Sequence, residues 1–376
     1  MPSQPDTSAS APFSPGAFAD PALCRGLLDR LEAELDAPLT FMEVCGTHTV
    51  SIFRSGLRSL LPEGITHLSG PGCPVCVTHE REVAAFLQLA AKDGVIIATF
   101  GDLMRVPGPE GMNLKKAAAQ GARVEVLYSP LDALALAQKN ARDQVVFLAV
   151  GFETTAPAMA ATIEMAKAQG IGNFSILSFH KLVPPALRLL LETGGGKGGI
   201  DAFLLPGHVS TILGVAPYAF IAEEHKKPGI IGGFDPVDIL DCLLTMVDIR
   251  KKNTPAIVNA YRRAVDDQGN PKAREIMARV FTPAPALWRG LGELPDSGLA
   301  LQDSYESFNA FARFGLTLPD VPPLKGCRCG DVLRGNMTPD KCGLFGKLCT
   351  PATPVGPCMV STEGSCSAYY KYRTDL

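Results

Sequence analysis

Short, continuous apolar runs alternate with amphipathic stretches along the first 235 residues of the chain. The runs at 94–100, 144–150 and 202–205 contain few polar residues, which is typical of strands buried on both faces of a sheet. The stretches between such runs have apolar residues at helical spacing. This alternation predicts about six or seven strands joined by helices, the βαβ pattern of parallel sheets. After residue 235, the pattern predicts helices, including one over 254–265, and then a looser segment.

At 376 residues the chain is too long for a single hydrophobic core. We therefore predict an α/β protein in which two tandem parallel-sheet α/β domains face a central cleft and a C-terminal cysteine-rich domain follows. The predicted boundaries are a disordered tail over 1–20, a first α/β domain over 21–138, a second over 139–245, and a helical linker with the cysteine-rich domain over 246–376.

The composition is that of an ordinary soluble protein, with 46% hydrophobic and 19% charged residues. The formal net charge of −3 argues against a nucleic acid or an anionic membrane as a partner. No stretch approaches the ~20 apolar residues that a membrane helix needs. The Ser/Pro/Ala-rich N-terminal tail also lacks the basic and apolar regions of a secretion signal. We therefore expect a cytoplasmic protein, in which cysteines serve metal binding or redox chemistry more often than structural disulfides.

Six of the eleven cysteines fall within the last fifty residues, in a segment rich in Gly, Pro and Thr. Four of them, spaced C-x14-C-x6-C-x16-C, suit the thiolates of a 4Fe–4S cluster, and the interleaved glycines allow the backbone to wrap it. A structural zinc site is the alternative. The other two form either a reversible disulfide that takes electrons from the cluster or free thiols. The four candidate ligands are Cys327, Cys342, Cys349 and Cys366, and the other two cysteines are Cys329 and Cys358.

Three loops that follow predicted strands carry further candidate residues. Cys73 and Cys76 form a Cys-x-x-Cys pair, the spacing of dithiol redox motifs and of half a zinc site. Cys45 and His48 combine a thiol with an imidazole, which suits Fe(II) and equally a nucleophile–base pair. Glu153 is a candidate functional carboxylate, and the threonines that follow it also suit a helix N-cap. Because ligands bind at the carboxyl ends of strands in such sheets, we expect these loops to converge on one cleft.

These motifs together resemble the NiFe-hydrogenase maturation factor HypD family. The resemblance is carried by residues 41–49 (FMEVCGTHT), 70–76 (GPGCPVC) and 151–157 (GFETTAP), and by the tail with its cysteine spacing and its SCSAYY ending at 365–370. It runs from about residue 20 to the C-terminus, and the motifs occur in the family's order.

The resemblance implies a function in building the hydrogenase active site. Members of this family form a complex with a small partner, HypC, and hold the iron that becomes Fe(CN)2CO in the NiFe hydrogenase large subunit. The iron lies between a thiolate of the partner and the cysteine that matches Cys45, with His48 close by. Cyanide comes from a thiocyanate carried by another maturation factor, HypE. The implied cluster ligands are Cys327, Cys342, Cys349 and Cys366, and the implied redox pairs are Cys73 with Cys76 and Cys329 with Cys358.

We accordingly interpret the chain as an assembly scaffold and metallochaperone with redox chemistry rather than a conventional turnover enzyme. Releasing cyanide from a thiocyanate is formally reductive, and a cluster with two dithiol pairs suits a relay. The hypothesis sends electrons from the cluster through Cys329 and Cys358 to Cys73 and Cys76, and then to the iron at Cys45. A disulfide reductase driven by an iron–sulfur cluster and a zinc-stabilised binding protein are the alternative functions.

Overall fold

The computed structural model describes residues 19–196 and 198–372. Of the predicted disordered tail over 1–20, residues 1–18 lie outside the described residues. Asp20 belongs to the folded part, because its side chain caps the first helix by accepting hydrogen bonds from the backbone N–H groups of Ala22 and Leu23. Among the described residues, no helix is long and apolar enough to cross a membrane.

In the described part of the chain, the strands form two parallel sheets and one antiparallel hairpin. In chain order they are β1 (Leu39–Glu43), β2 (Ile65–Ser69), β3 (Val95–Thr99), β4 (Arg123–Val126), β5 (Gln144–Ala149), β6 (Phe174–Ser178), β7 (Ala202–Pro206), β8 (Gly229–Gly232), β9 (Ile257–Asn259), β10 (Phe281–Trp288) and β11 (Gly292–Leu301). The first sheet has the order β2-β1-β7-β8-β9, and the second has the order β4-β3-β5-β6. Every pairing in these two sheets is parallel, which confirms the predicted α/β class. Strands β10 and β11 pair antiparallel.

The strand order departs from the predicted tandem arrangement. The second sheet is inserted between β2 and β7 of the first sheet, so the chain leaves the first sheet and later returns to it. On its return, β7 pairs directly with β1, with Ala202 opposite Phe41 and Leu204 opposite Glu43. A division between residues 138 and 139 would separate β3 and β4 from β5 and β6, which share one sheet. The difference arises because apolar runs predict that strands exist but not which strands pair.

Helices make most of the connections. In chain order they are α1 (Pro21–Glu34), α2 (Gly46–Arg54), α3 (Leu57–Leu60), α4 (Pro74–Val77), α5 (Glu80–Ala90), α6 (Leu114–Ala119), α7 (Asp132–Lys139), α8 (Ala156–Ala168), α9 (Val183–Glu192), α10 (Gly207–Leu213), α11 (Ala219–Glu223), α12 (Pro236–Lys252), α13 (Pro271–Val280), α14 (Ala310–Phe314), α15 (Cys329–Leu333) and α16 (Ser365–Tyr372). Proline occupies the first position of α1, α4, α12 and α13, where a helix needs no N–H donor.

The hydrophobic core is divided among the two sheets and their helices. One cluster packs α1 and α12 against the first sheet, where Leu31, Phe41 and Leu243 are fully buried. A second cluster packs α7, α8 and α13 against the second sheet. The largest cluster contains residues from both sheets together with Cys329 and Cys358 of the tail. The cysteine-rich segment is therefore built into the central core rather than attached at its edge.

Candidate functional site

Cys45 lies two residues after the end of β1, as the N-cap residue of α2. The neighbouring glycine loop packs against it: the Gly46 N–H donates to the Gly72 carbonyl at 3.0 Å, and a Cβ on Gly72 would overlap the Cys45 backbone. Glycine at position 72 therefore allows the loops that follow β1 and β2 to meet. Cys45 is 7% exposed, and burial, with a smaller effect from the Glu363 carboxyl, raises the pKa of its thiol to about 12. Without a metal, Cys45 is a protonated thiol at neutral pH.

A buried carboxyl group fixes the backbone of this loop. Glu43, the last residue of β1, is fully buried, and its Oε2 accepts the Cys45 N–H at 3.0 Å. Its Oε1 accepts the Thr49 hydroxyl at 2.5 Å and lies 3.7 Å from Nε2 of His67. Glu43 therefore ties the start of α2 to the end of β1. Sequence reasoning missed this residue, and the available signal was a carboxylate at the end of an apolar strand.

His48 is buried in the first turn of α2, three residues after Cys45. Its Nε2 lies 2.9 Å from the Gly233 carbonyl oxygen, and its ring centroid is 4.5 Å from that of Phe234. Burial lowers the pKa of His48 to about 4, so the ring is neutral at pH 7. A neutral ring that donates through Nε2 keeps a lone pair on Nδ1, which has no hydrogen-bond partner among the described residues. This nitrogen suits a metal ion or a proton donor.

A cavity of about 540 Å³ opens beside Cys45. Cys45 and Thr47 line it from the first sheet, Asp102 and Gly151 line it from the second, and Glu363 lines it from the tail. Loops at the carboxyl ends of strands from both sheets thus surround one space, which is where α/β sheets bind ligands.

The tail closes one side of this cavity. Glu363 accepts a hydrogen bond from the Thr47 hydroxyl at 2.8 Å, and the Ser361 hydroxyl donates to Asp102 at 2.8 Å. A Cβ on Gly46 would lie only 2.5 Å from Glu363, so glycine at position 46 permits this approach. Sequence reasoning missed Glu363, whose only signal is its position just before the last tail cysteine.

Cys73 and Cys76 are brought together by the short helix α4. Their sulfur atoms lie 2.7 Å apart, and the Cys76 N–H donates to the Cys73 sulfur at 3.3 Å. Both residues are buried, and burial raises the pKa of Cys76. The pair is therefore placed for reversible dithiol–disulfide chemistry. Pro74 and Val75, which lie between the two cysteines, line the same cavity as Cys45.

The Cys358 thiol connects this pair to the tail. It is in hydrogen-bond contact with the thiols of Cys329, Cys366 and Cys76. These contacts lower the pKa of Cys358, the one from Cys329 most strongly. Cys329 in turn contacts the thiol of Cys327. The thiols thus form a series of interacting groups from the tail to the Cys-x-x-Cys loop, which the sequence spacing alone does not reveal.

The arrangement of the tail thiols bears on which metal centre they can hold. Among the described residues, no group of three or more Cys, His, Asp or Glu side chains is arranged to hold a metal ion. A 4Fe–4S cluster has a different requirement, because each of its four thiolates binds its own iron and the sulfurs stand apart. The Val355 N–H donates to the Cys349 sulfur at 3.4 Å, and a Cβ on Gly356 would overlap the Cys327 sulfur. Backbone N–H donors to thiolate sulfurs are a feature of cluster sites, so this donor set fits iron–sulfur chemistry.

Glu153 lines a separate cavity of about 410 Å³, and the structure does not bring it to the cavity beside Cys45. Its Oε1 accepts the Val183 N–H at 2.9 Å, and its Oε2 has no partner among the described residues. Burial raises the pKa of Glu153 to about 7. Thr155 occupies the N-cap position of α8, but its hydroxyl donates to the Phe152 carbonyl at 3.2 Å instead of capping the helix.

The chain is similar to hydrogenase maturation factors over nearly its whole length. The sequence profile described as "HypD: Hydrogenase formation hypA family" matches residues 22–373. The chain is 42% identical over 362 residues to Hydrogenase maturation factor HypD2 of Bradyrhizobium diazoefficiens, covering 94% of this chain and 95% of that protein. It is 43% identical over 367 residues to Hydrogenase maturation factor HypD of Rhodobacter capsulatus, covering 94% and 97%. The corresponding values for Hydrogenase maturation factor HypD of Escherichia coli are 44% over 339 residues, covering 90% of each chain.

Proposed function

Because the chain belongs to the HypD family of hydrogenase maturation factors, we propose that it is the scaffold on which iron acquires its cyanide and CO ligands. In this proposal a small HypC-type partner shares the iron, and a HypE-type donor delivers the cyanide. The finished Fe(CN)2CO unit then passes to the large subunit of a NiFe hydrogenase. The observation that carries the proposal is the placement of Cys45, a buried thiol on a cavity that the Cys-x-x-Cys loop and the tail also line.

Cys45 supplies the thiolate that anchors the iron. Its raised pKa means that iron binding releases a proton, so anchoring strengthens as the pH rises toward about 12. A thiolate is a soft donor that suits Fe(II) carrying cyanide and CO. Glu43 holds the loop from the strand side, and the contact between Glu363 and Thr47 holds it from the tail side.

Cyanide release needs electrons in pairs. Cleavage of the S–C bond of a thiocyanate by two electrons gives a thiolate and a cyanide ion. One dithiol supplies both electrons when it becomes a disulfide and releases two protons. We assign this step to Cys73 and Cys76, because their loop lines the cavity beside Cys45. The contact between Cys358 and Cys76 supports thiol–disulfide exchange, by which the dithiol of Cys329 and Cys358 restores the first pair.

The source of these electrons is the tail. We propose that four of its cysteines hold a 4Fe–4S cluster, which when bound supplies single electrons to the neighbouring dithiol. A structural zinc at the same cysteines would be unable to do so. A reducing cytoplasm suits this arrangement, because it keeps the thiols available. The proposed ligands are Cys327, Cys342, Cys349 and Cys366.

Hydrogenase maturation in cells tests the role of Cys45. A strain that lacks its own family member is complemented with the wild-type protein, Cys45→Ala, or the control Cys24→Ala on α1. We expect NiFe-hydrogenase activity to be restored by the wild type and the control, and to be absent with Cys45→Ala although the visible absorption of the cluster is retained. Full maturation by Cys45→Ala would contradict the proposal.

The thiol series also favours a second function, that of a disulfide reductase driven by an iron–sulfur cluster. Such an enzyme would use Cys73 and Cys76 against an external disulfide and would leave Cys45 without a role. Maturation that survives Cys45→Ala but is lost with Cys76→Ala would therefore favour the reductase.

A further inference from the structure

The tail carries an exposed apolar residue directly before a proposed cluster ligand. Leu348 is 70% exposed and precedes Cys349 in the chain. It lies in a tight loop in which the N–H groups of Lys347 and Cys349 both donate to the Leu344 carbonyl, at 3.2 and 2.9 Å. Single exposed leucines are common on protein surfaces, so the significance of Leu348 depends on its surroundings.

Those surroundings are basic. Between residues 324 and 372 the chain has six Lys or Arg residues and three Asp or Glu residues, whereas the whole chain has a net charge of −3. Lys347 is exposed beside Leu348 in the loop. Lys325 is also exposed and precedes Gly326, where a Cβ would lie 3.2 Å from the Leu344 side chain. Both lysines therefore flank the same loop.

The acidic residues of this segment are already engaged. Asp331 pairs with two arginines of the segment, Asp340 lies 3.2 Å from Lys341, and Glu363 accepts the Thr47 hydroxyl in the cavity. Neither Lys325 nor Lys347 forms an ion pair with any residue in the described part of the chain. The surface made by Lys325, Lys347 and Leu348, which we name the Leu348 patch, thus presents positive charge around an apolar centre.

We propose that the Leu348 patch is the docking surface for an acidic protein that carries single electrons, of the ferredoxin or flavodoxin kind. A carrier seated on Leu348 stands next to Cys349, a proposed cluster ligand. Opposite charge accelerates the encounter, and a small contact area lets the spent carrier leave. The inference rests on the proposed function, because a scaffold that spends electrons on cyanide release needs a donor.

The electron balance requires repeated docking. Returning one disulfide of the tail to two thiols takes two electrons and two protons. A one-electron carrier must therefore dock, transfer and leave twice for each disulfide. A weak, salt-sensitive complex suits this turnover better than a tight one.

Binding and electron transfer to the full-length, anaerobically purified protein test the proposal. The probe is an acidic plant-type [2Fe–2S] ferredoxin, and the readouts are its dissociation constant at low salt and the rate at which its reduced form bleaches the tail cluster. The test variants are the double charge reversal Lys325→Glu with Lys347→Glu, and Leu348→Ser. The matched controls are Lys115→Glu on α6 and Leu131→Ser, where the leucine is 42% exposed. We expect binding to weaken roughly tenfold in the charge reversal, with a smaller loss for Leu348→Ser and no change in the controls.

Salt provides an internal check on the charge reversal. The weakening of ferredoxin binding by the charge reversal should largely vanish at high ionic strength, where exposed charges are screened within about 3 Å. The variant Lys347→Arg should bind like the wild type, because it keeps the charge.

Three results would overturn the docking proposal. The first is that the ferredoxin shows no saturable binding. The second is that Lys115→Glu weakens ferredoxin binding as much as the charge reversal does. The third is that the charge reversal weakens binding of the small maturation partner and leaves ferredoxin binding unchanged. The cluster's absorption and the infrared bands of the iron unit are measured on the same samples. If the cluster absorption and the iron bands are present but docking fails, only the docking proposal is wrong. If the cluster absorption or the iron bands are missing, the proposed function itself is wrong.

Discussion

Replacement of Glu43 tests whether its buried carboxyl group holds the Cys45 loop in place. In Glu43→Ala, the Cys45 N–H and the Thr49 hydroxyl lose their acceptors at a site with no exposure to water. Each buried donor left without a partner costs about 1–3 kcal/mol, so the free energy of unfolding should fall by roughly 2–6 kcal/mol. Glu43→Gln keeps one acceptor oxygen and turns an NH2 group toward the other donor, so it should lose roughly half as much.

Urea unfolding followed by circular dichroism measures these changes. The matched control is Glu125→Ala, which removes an exposed carboxylate from β4 and should change the free energy of unfolding by less than about 0.5 kcal/mol. If Glu43→Ala lies within about 0.5 kcal/mol of the wild type, the reasoning is refuted. The reasoning is also refuted if Glu43→Gln lowers the free energy of unfolding as much as Glu43→Ala does. The destabilisation would then come from the lost charge rather than from unpaired donors.

Three further changes have expected outcomes. Folding raises the pKa of Glu153 from 4.5 to about 7, so the free energy of unfolding should fall by about 3 kcal/mol as the pH rises from 4.5 through 7. Urea titrations should show that Glu153→Gln abolishes this pH dependence. A variant with the same pH profile as the wild type would contradict the assignment to Glu153. Gly72→Ala should displace the Cys45 loop and abolish hydrogenase maturation. The control Gly172→Ala should support normal maturation, because nothing lies within 4 Å of a Cβ at that position. Normal maturation by Gly72→Ala would be inconsistent with the close packing of Gly72 against the Cys45 backbone. Cys358→Ser should leave the Cys-x-x-Cys pair oxidised after the tail has been reduced, as counted by alkylation and mass spectrometry, and full recovery of its thiols would rule out the exchange step.

The elements of the α/β fold were predictable where local signals are strong. The apolar runs identify most strands of the two sheets, because strands buried on two faces admit few polar residues, but they miss β8 at the far side of β7. Their partners could not be predicted: β1 pairs with β7, and no local signal connects strands so far apart in the chain. The helical pattern over 254–265 was wrong, because residues Ile257–Asn259 extend the first sheet as its edge strand. The hairpin of β10 and β11 was missed since Pro283 and Pro285 argue against a strand, although they are tolerated in a two-stranded ribbon.

The sequence allows the cysteines of the candidate site to be predicted, but not the carboxylates of Glu43 and Glu363 that support it. Cysteines in glycine-rich loops are conspicuous in any sequence, and their loops do meet at the carboxyl ends of strands. Glu363 looks like an ordinary surface residue until the tail is folded over Thr47. The loop of Glu153 was expected to meet the loop of Cys45, and Gly151 and Thr154 do line the cavity beside Cys45. The side chain of Glu153 itself lines a different cavity.

The most direct test of the scaffold function is an infrared spectrum in the cyanide and CO stretching region. The protein is purified anaerobically after co-expression with the proposed HypC-type partner, as wild type, Cys45→Ala and Cys24→Ala. We predict cyanide and CO bands in the wild type and in Cys24→Ala, and their absence from Cys45→Ala. A blank spectrum from wild-type protein that is loaded with the proposed 4Fe–4S cluster and bound to the proposed partner would contradict the proposed scaffold function.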